Sequence, residues 1–350
     1  MRLPFNGPAG GRLSGAAGSL VGRYRAIHPG LLICLLIAFA TTFIADHYGG
    51  PTLLYALLFG MSVHFLSENE TCRPGIEFTA RTVLRAGVAL LGVRITYEQV
   101  EALGLGPVVL VFFSVLVVIV AGALIARLLG LPRDLGLLSG GAVAICGASA
   151  ALALSAVMPR NETHERNTIL TVVGVTTLST MAMVIYPLIV GALGLPDAQA
   201  GVFLGATIHD VAQVVGAGYM ISDETGDVST LIKLLRVAML VPVVLGFMWF
   251  FRHSRGEGEQ GKAVMLPGFL VVFILLVIVN SLGWIPEATS QGLSVVSRWC
   301  LVAAIAALGV KTSFEKLVVV GWRPVALMLL ETGLLLALVL GVVIYAGIGI

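Results

Sequence analysis

The chain repeats itself. The stretch from Arg81 to Val108, moved forward by 217 residues, lands on Arg298 to Val325 without a gap, and 11 of 28 positions are identical. The matches include Arg81/Arg298, Gly92/Gly309, Glu98/Glu315, Gly104/Gly321 and Pro107/Pro324, with Arg94/Lys311 as a conservative pair. Apolar bias alone could match Leu, Val and Ala. It would not bring Arg, Glu, Gly and Pro into one register. In a membrane chain a duplicated unit marks a carrier whose halves move against each other. The units expected from this match are about 51–129 and 268–348.

The membrane assignment follows from composition: 58% of residues are hydrophobic, 11% are charged, and mean hydropathy is +1.00. A helix crossing the hydrocarbon core needs about 20 apolar residues. Eleven such runs can be read, at about 28–47, 51–67, 76–95, 106–129, 135–158, 167–191, 198–219, 228–251, 265–282, 288–310 and 323–348. Backbone groups in lipid must be satisfied internally, so these runs predict an all-α polytopic protein of about 11 transmembrane helices. Residues 1–27, rich in Gly, Pro and Arg, read as a disordered cytoplasmic tail, and 28–350 as a single transmembrane domain.

Lys and Arg in the loops and at the ends of the runs divide 13 to 3 between the two sides when the N-terminus is placed inside. The bias predicts a cytoplasmic N-terminus and a periplasmic C-terminus. It also places the loop after the third run and its copy after the tenth on opposite sides, so the repeats are expected to be inverted. A net charge of +2 is no nucleic-acid signature. The four cysteines have neither metal nor disulfide spacing, and no cofactor or metal is expected.

Two runs differ from ordinary lipid-facing helix. The fifth holds Ser139, Gly140 and Gly141, then Cys146, Gly147 and Ser149. Interior glycine costs about 1 kcal/mol relative to alanine. This cluster therefore predicts either a broken helix, whose free N–H groups would bind an anion, or close helix packing. In the seventh run Gly201, Gly205, His209, Gln213 and Ala217 recur every four residues, with Asp210 alongside. Polar groups at this depth face a cavity or each other, and a His–Asp pair can hold or pass a proton. Gly216 and Gly218 predict the end of that run.

Cations in the interior of the runs are Arg81, Arg85, Lys233, Arg236 and Arg298; Asp210 and Glu331 are the clear acids. The excess of cations favours an anionic substrate, and the planar guanidinium suits oxyanions. Substrate contacts are expected at Ser139, Gly140, Gly141, Cys146, Gly147, Ser149, Gln213, Arg81, Arg85 and Arg298. Ion coupling is expected at His209, Asp210 and Glu331.

The runs GGAVAICGASA and HDVAQVVGAG, with the pair LLGVRIT and ALGVKTS, resemble the YeiH-like sulfate exporter family of bacterial inner-membrane proteins. The likeness covers about residue 30 to the end. It implies a secondary transporter of sulfate or a related oxyanion, on a plan similar to the sodium–proton antiporters and bile-acid transporters, with broken helices crossing at mid-membrane. The repeat offset of seven runs departs from a tidy pair of five-span units. The expected partners are a small anion, a coupling proton or sodium ion, the lipid bilayer and a further copy in a homo-oligomer; nucleic acid is excluded. A cation/proton antiporter is the nearest alternative, and a membrane-embedded enzyme the alternative of another class. No GxGD or HExxH run supports the enzyme.

Overall fold

The computed structural model describes residues 11–159, 162–252, 267–312 and 321–348. All regular structure among them is helical. In chain order the helices are α1 (Gly11–Tyr48), α2 (Thr52–Ser62), α3 (Arg73–Phe78), α4 (Leu84–Leu90), α5 (Tyr97–Ala102), α6 (Gly106–Leu128), α7 (Arg133–Ala144) and α8 (Ala148–Ser155). There follow α9 (His164–Leu193), α10 (Asp197–Thr207), α11 (Val211–Tyr219), α12 (Asp223–Ala238), α13 (Leu240–Phe250), α14 (Gly268–Ser281), α15 (Glu287–Lys311) and α16 (Trp322–Ala346). A π-turn at Thr79–Val83 joins α3 to α4, and a 3₁₀ turn at Leu91–Val93 ends it.

Six stretches are continuous, apolar and long enough to cross a bilayer: Tyr24–Tyr48, Gly106–Leu128, His164–Leu193, Asp223–Phe250, Glu287–Lys311 and Trp322–Ala346. The remaining apolar runs of the sequence fall on short helices, such as Thr52–Ser62 and Gly268–Ser281, or on interrupted ones. Hydropathy counts apolar length and is blind to where the backbone turns. Large apolar side chains, among them Leu36, Phe39, Phe113, Leu188 and Trp249, stand exposed on the outer faces, as lipid contact requires. The stretch read as a tail is helical from Gly11 onward.

The repeated segments pack on each other. Ser297 Oγ donates to Gly87 O at 2.7 Å and Ser290 Oγ to Val93 O at 3.2 Å. Going up one segment is thus going down the other: α4 and α15 run antiparallel. The matched glycines Gly92 and Gly309 make matching close approaches. A Cβ on Gly92 would strike the carbonyl of Phe273 in α14, and one on Gly309 would strike the carbonyl of Leu57 in α2. Leu57 moved by the repeat offset is Ile274, the neighbour of Phe273. Each copy therefore packs a bare glycine on the first helix of the other copy. The next matched glycines, Gly104 and Gly321, both have positive φ, 66° and 86°. The matched Glu315 lies outside the described residues.

Candidate functional site at the crossing of two interrupted helices

Two helices stop and restart in the interior. Between α7 and α8 the chain unwinds at Ile145, Cys146 and Gly147. Gly147 adopts φ 62°, ψ −126°, a region that a side chain forbids. Its N–H still reaches back to Ala142 O at 2.8 Å. Between α10 and α11 the chain is extended through Ile208 and Asp210, with ψ of 137° and 146°. No glycine makes this second break; it is held from outside. Asp210 N donates to Ser179 Oγ of α9 at 3.0 Å. The two unwound segments touch, for a Cβ on Gly147 would lie 3.7 Å from the backbone and Cβ of His209.

Helix α12 supplies what the breaks lack. It approaches α10 because Gly205 has no side chain; a Cβ there would sit 2.5 Å from Ser229 O. That approach brings in Lys233 and Arg236, both fully buried. Lys233 Nζ donates to Ile145 O at 2.7 Å, Ile208 O at 2.9 Å and His209 O. Arg236 donates from Nε to Ala144 O at 2.9 Å and from its terminal nitrogens to Val143 O at 2.8 Å, Ile208 O at 3.1 Å and Gly205 O at 3.2 Å. The last carbonyls of a helix lack intrahelical partners and carry the negative end of its dipole. Here two cations satisfy the C-terminal ends of α7 and α10 together. A charge at mid-membrane costs about 2.5–3.5 kcal/mol on insertion scales; seven hydrogen bonds to orphaned carbonyls offset it.

The crossing has two unlike faces. On one, Ser139 Oγ of α7 donates to Glu331 Oε1 of α16 at 2.7 Å, and His209 Nε2 shares a hydrogen bond with Thr332 Oγ1 at 3.0 Å. Ser139, His209 and Glu331 are buried. Glu331 Oε2 and His209 Nδ1 have no partner among the described residues. The other face is turned to α9 and α15. There Gln213 Nε2 donates to Thr180 Oγ1 at 3.4 Å. Gln213, Thr176, Thr177, Thr180, Lys311 and Thr312 line a chamber of about 270 Å³ together with Val172, Val173 and Leu308. Asp210, at the N-cap of α11, is only partly buried. Lys233 and Lys311 are among its charged neighbours. Lys311 also borders a second cavity of about 380 Å³ with Ser67, Glu68, Arg73 and Glu77.

The residues singled out in the sequence divide accordingly. Cys146, Gly147, His209 and Asp210 meet at the crossing, with Ser139 and Glu331 on its closed face and Gln213 on its chamber face. Gly140 and Gly141 serve packing: a Cβ on Gly140 would lie 2.8 Å from Val118 O of α6, and one on Gly141 would strike Leu154. Ser149 lies exposed in the first turn of α8. Arg81 and Arg85 are exposed on the π-turn and α4, apart from the crossing. Arg298 lines a separate cavity of about 190 Å³ with Thr52, Arg94, Tyr219 and Asp223. At that cavity Arg94 reaches Asp223 and Asp227 at 3.4 Å each and stacks over Tyr219 at 5.4 Å, while Tyr219 donates to Asp227. In sequence Lys233 and Arg236 are legible only as cations within a run. Three residues apart on one helix face, they carried the signal that they act together. Ser179 and Thr180 give no such signal, and Lys311 stands out only as the repeat partner of Arg94. No group of His, Cys, Asp or Glu among the described residues is arranged to hold a metal ion.

This architecture defines an all-helical, multi-pass membrane protein built around two interrupted helices that cross at a buried cation pair. Comparison places the chain in a family. Residues 29–328 match the family described as "Conserved hypothetical protein 698". The chain is 52% identical to UPF0324 membrane protein CT0845 of Chlorobaculum tepidum, over 92% of this chain and 91% of that one. It is 50% identical to UPF0324 membrane protein TauZ of Paracoccus denitrificans, over 89% and 93%, and 48% identical to UPF0324 membrane protein RB0971 of Rhizobium meliloti, over 91% and 93%. The protein belongs to this UPF0324, YeiH-like family of membrane proteins. No solved structure matches it.

Proposed function

We propose that the protein is a secondary active transporter of a small oxyanion-bearing solute, of the class of sulfate, related sulfur oxyanions and small organic anions. It works by alternating access in the bacterial inner membrane, with the N-terminus cytoplasmic and the C-terminus periplasmic. The observation that carries this reading is the uneven compensation at the crossing. Lys233 and Arg236 satisfy the negative ends of α7 and α10. Among the described residues the positive ends, at the starts of α8 and α11, have no such fixed counter-charge except Asp210. First-turn N–H groups and the dipole favour an anion there. When Asp210 is ionised it competes for the start of α11; when it takes a proton, the site is left to the solute. Anion and proton are then bound together, which makes Asp210 the coupling group; sodium at the same carboxylate is the alternative coupling ion.

Two further features support the carrier reading. The antiparallel packing of α4 on α15, with Gly92 and Gly309 exchanged between copies, is what inverted repeats of a two-state carrier require. The matched cations Arg94 and Lys311 stand at opposite ends of the assembly. Arg94 is latched to Asp223 and Asp227 beside a cavity of about 190 Å³, and Lys311 borders two others. The positive-inside bias makes the Lys311 end cytoplasmic.

Counterflow in proteoliposomes tests the function. Vesicles loaded with sulfate, ethanesulfonate or a dicarboxylate should take up the labelled solute faster than protein-free vesicles, and an imposed proton gradient should change the rate. Flux no greater than that of empty vesicles for every solute and gradient would remove the carrier reading.

A further inference from the structure

The donors and acceptors of the chamber restrict its solute more narrowly than its charge does. Four threonines line it, and each has already spent its hydroxyl hydrogen on its own helix. Thr176 donates to Val172 O at 2.7 Å, Thr177 to Val173 O at 2.9 Å, Thr180 to Thr176 O at 3.1 Å and Thr312 to Leu308 O at 2.9 Å. A hydroxyl has one hydrogen, so what these four can offer is lone pairs. The orientation of Gln213 follows. Thr180 Oγ1 can only accept, so the amide end that faces it must be the NH₂. Gln213 Oε1 is then the other end. It belongs to a side chain 1% exposed and has no hydrogen-bond partner among the described residues. A buried acceptor left unpaired is costly, and this one calls for a donor. The wall thus presents acceptors, and the Lys311 ammonium at the junction with the second cavity presents a cation.

We infer that the chamber is a binding site for a small zwitterion, whose ammonium group enters the Thr176–Thr180–Gln213 wall and whose oxyanion faces Lys311, a charged neighbour of Asp210 at the start of α11. This rests on the carrier reading above and narrows the solute to one in which an oxyanion is accompanied by an amine. An ammonium brings three donors and no acceptor, which matches a wall of acceptors. A bare oxyanion brings only acceptors and would leave Gln213 Oε1 unpaired. The chamber volume, about 270 Å³, lies below the roughly 300–1,000 Å³ of sites for drug-sized ligands. It fits a chain of two or three carbons between the charged ends. Val172, Val173 and Leu308 line the same chamber and suit that methylene spacer.

The test is calorimetric titration of the purified full-length protein with four probes: 2-aminoethanesulfonate and β-alanine, and their amine-free analogues ethanesulfonate and propanoate. At least one amine-bearing probe is expected to bind about tenfold or more tightly than its analogue, since a site built to pair a donor rejects a ligand that lacks it. Gln213→Leu should bring the two members of that pair to within about threefold, chiefly by weakening the amine, as the loss of one hydrogen bond in a dry site does. Should that variant fail to fold, Gln213→Glu is the substitute, and it should raise the preference for the amine. Lys311→Gln should weaken both members by a similar factor. Equal or tighter binding of the amine-free analogues, no binding of any probe, or an unchanged preference in the Gln213 variants would overturn the zwitterion site. The carrier reading is judged separately by vesicle flux: sulfate or dicarboxylate counterflow that persists alongside a failed titration leaves the carrier and removes only the zwitterion.

Discussion

The two faces of the crossing are built from similar residue types and do different things. Toward α6 and α16, Ser139, His209, Glu331 and Thr332 close on one another, and nothing in that cluster borders the chamber. Toward α9 and α15, the polar groups leave a space, and a lysine stands where it meets a second cavity. The difference lies in what the second helix brings. Helix α16 brings a carboxylate and a hydroxyl that consume the polar atoms of the break. Helix α9 brings threonines already bonded to their own backbone, so their oxygens line a space instead of filling it. An intramembrane polar residue is thus a candidate for function according to what its neighbours leave unpaired, more than by its own chemistry.

The comparison depends on a frame common to both faces, and breaking that frame should have the largest effect. Lys233→Met or Arg236→Met leaves orphaned carbonyls at the ends of α7 and α10. Loss of one member of a buried charged network costs about 3–5 kcal/mol. Little monodisperse protein is expected from either variant in size-exclusion chromatography. Arg236→Lys should not rescue, because one ammonium cannot reach the four carbonyls that the guanidinium fork serves. A normal yield and melting temperature for Arg236→Met would show that the crossing does not need its cations.

Next in size are the matched glycines that hold the two repeat copies together. Gly92→Ala and Gly309→Ala each push a methyl into a carbonyl of the other copy. Each should lose about 1–3 kcal/mol, as overpacked interiors do, and the two losses should be alike. A large loss for one and none for the other, read by thermal melts, would argue against equivalent repeat packing.

The closed face should respond more weakly. His209→Gln can keep a hydrogen bond to Thr332, so its cost should stay near 1–2 kcal/mol. The pH profile of transport should remain unchanged, because the ring faces away from the chamber. From the sequence alone, the adjacency of His209 and Asp210 predicts a shifted profile instead, so this variant separates the two readings. The smallest effect is expected at the latch. Arg94→Gln removes partly exposed ion pairs worth about 0–1 kcal/mol. It should hardly move the melting temperature, yet it should speed thiol labelling of Ser294→Cys in a Cys300→Ser background. Unchanged labelling would mean that Arg94 does not guard that cavity.

Much of this was legible in the sequence, and the gaps have physical causes. Apolar runs located the helices, because lipid leaves the backbone no other choice. The repeat of Arg81–Val108 in Arg298–Val325 located two segments that pack antiparallel, because its glycines have to match wherever helices touch. The break in the fifth run was legible through Gly147, whose φ only glycine tolerates. The break at Ile208–Asp210 was not. It contains no glycine or proline and is held by Ser179, Lys233 and Arg236, which lie up to 31 residues away in sequence. The four-residue spacing from Gly201 to Ala217 read as one stripe for the same reason: period assumes a continuous helix, and the helix stops in the middle. The arginines were the least legible. Arg81, Arg85 and Arg298 fall within apolar runs as Lys233 and Arg236 do, yet the first three are exposed, because hydropathy registers depth in a run and not which side of the helix a residue occupies.

The contrast between the faces is tested most directly by two carboxylates measured side by side. Asp210→Asn and Glu331→Gln are each reconstituted into proteoliposomes, and flux per monodisperse protein is followed from about pH 5.5 to 8.5. The account predicts that Asp210→Asn folds normally and loses pH-dependent transport by about tenfold or more, the order expected when a group acting in proton transfer is removed. It predicts that Glu331→Gln, whose amide oxygen can still accept from Ser139, keeps both the rate and the profile. A full-rate Asp210→Asn with an unaltered pH profile, together with an inactive but folded Glu331→Gln, would contradict it and move the working site to the face described here as closed.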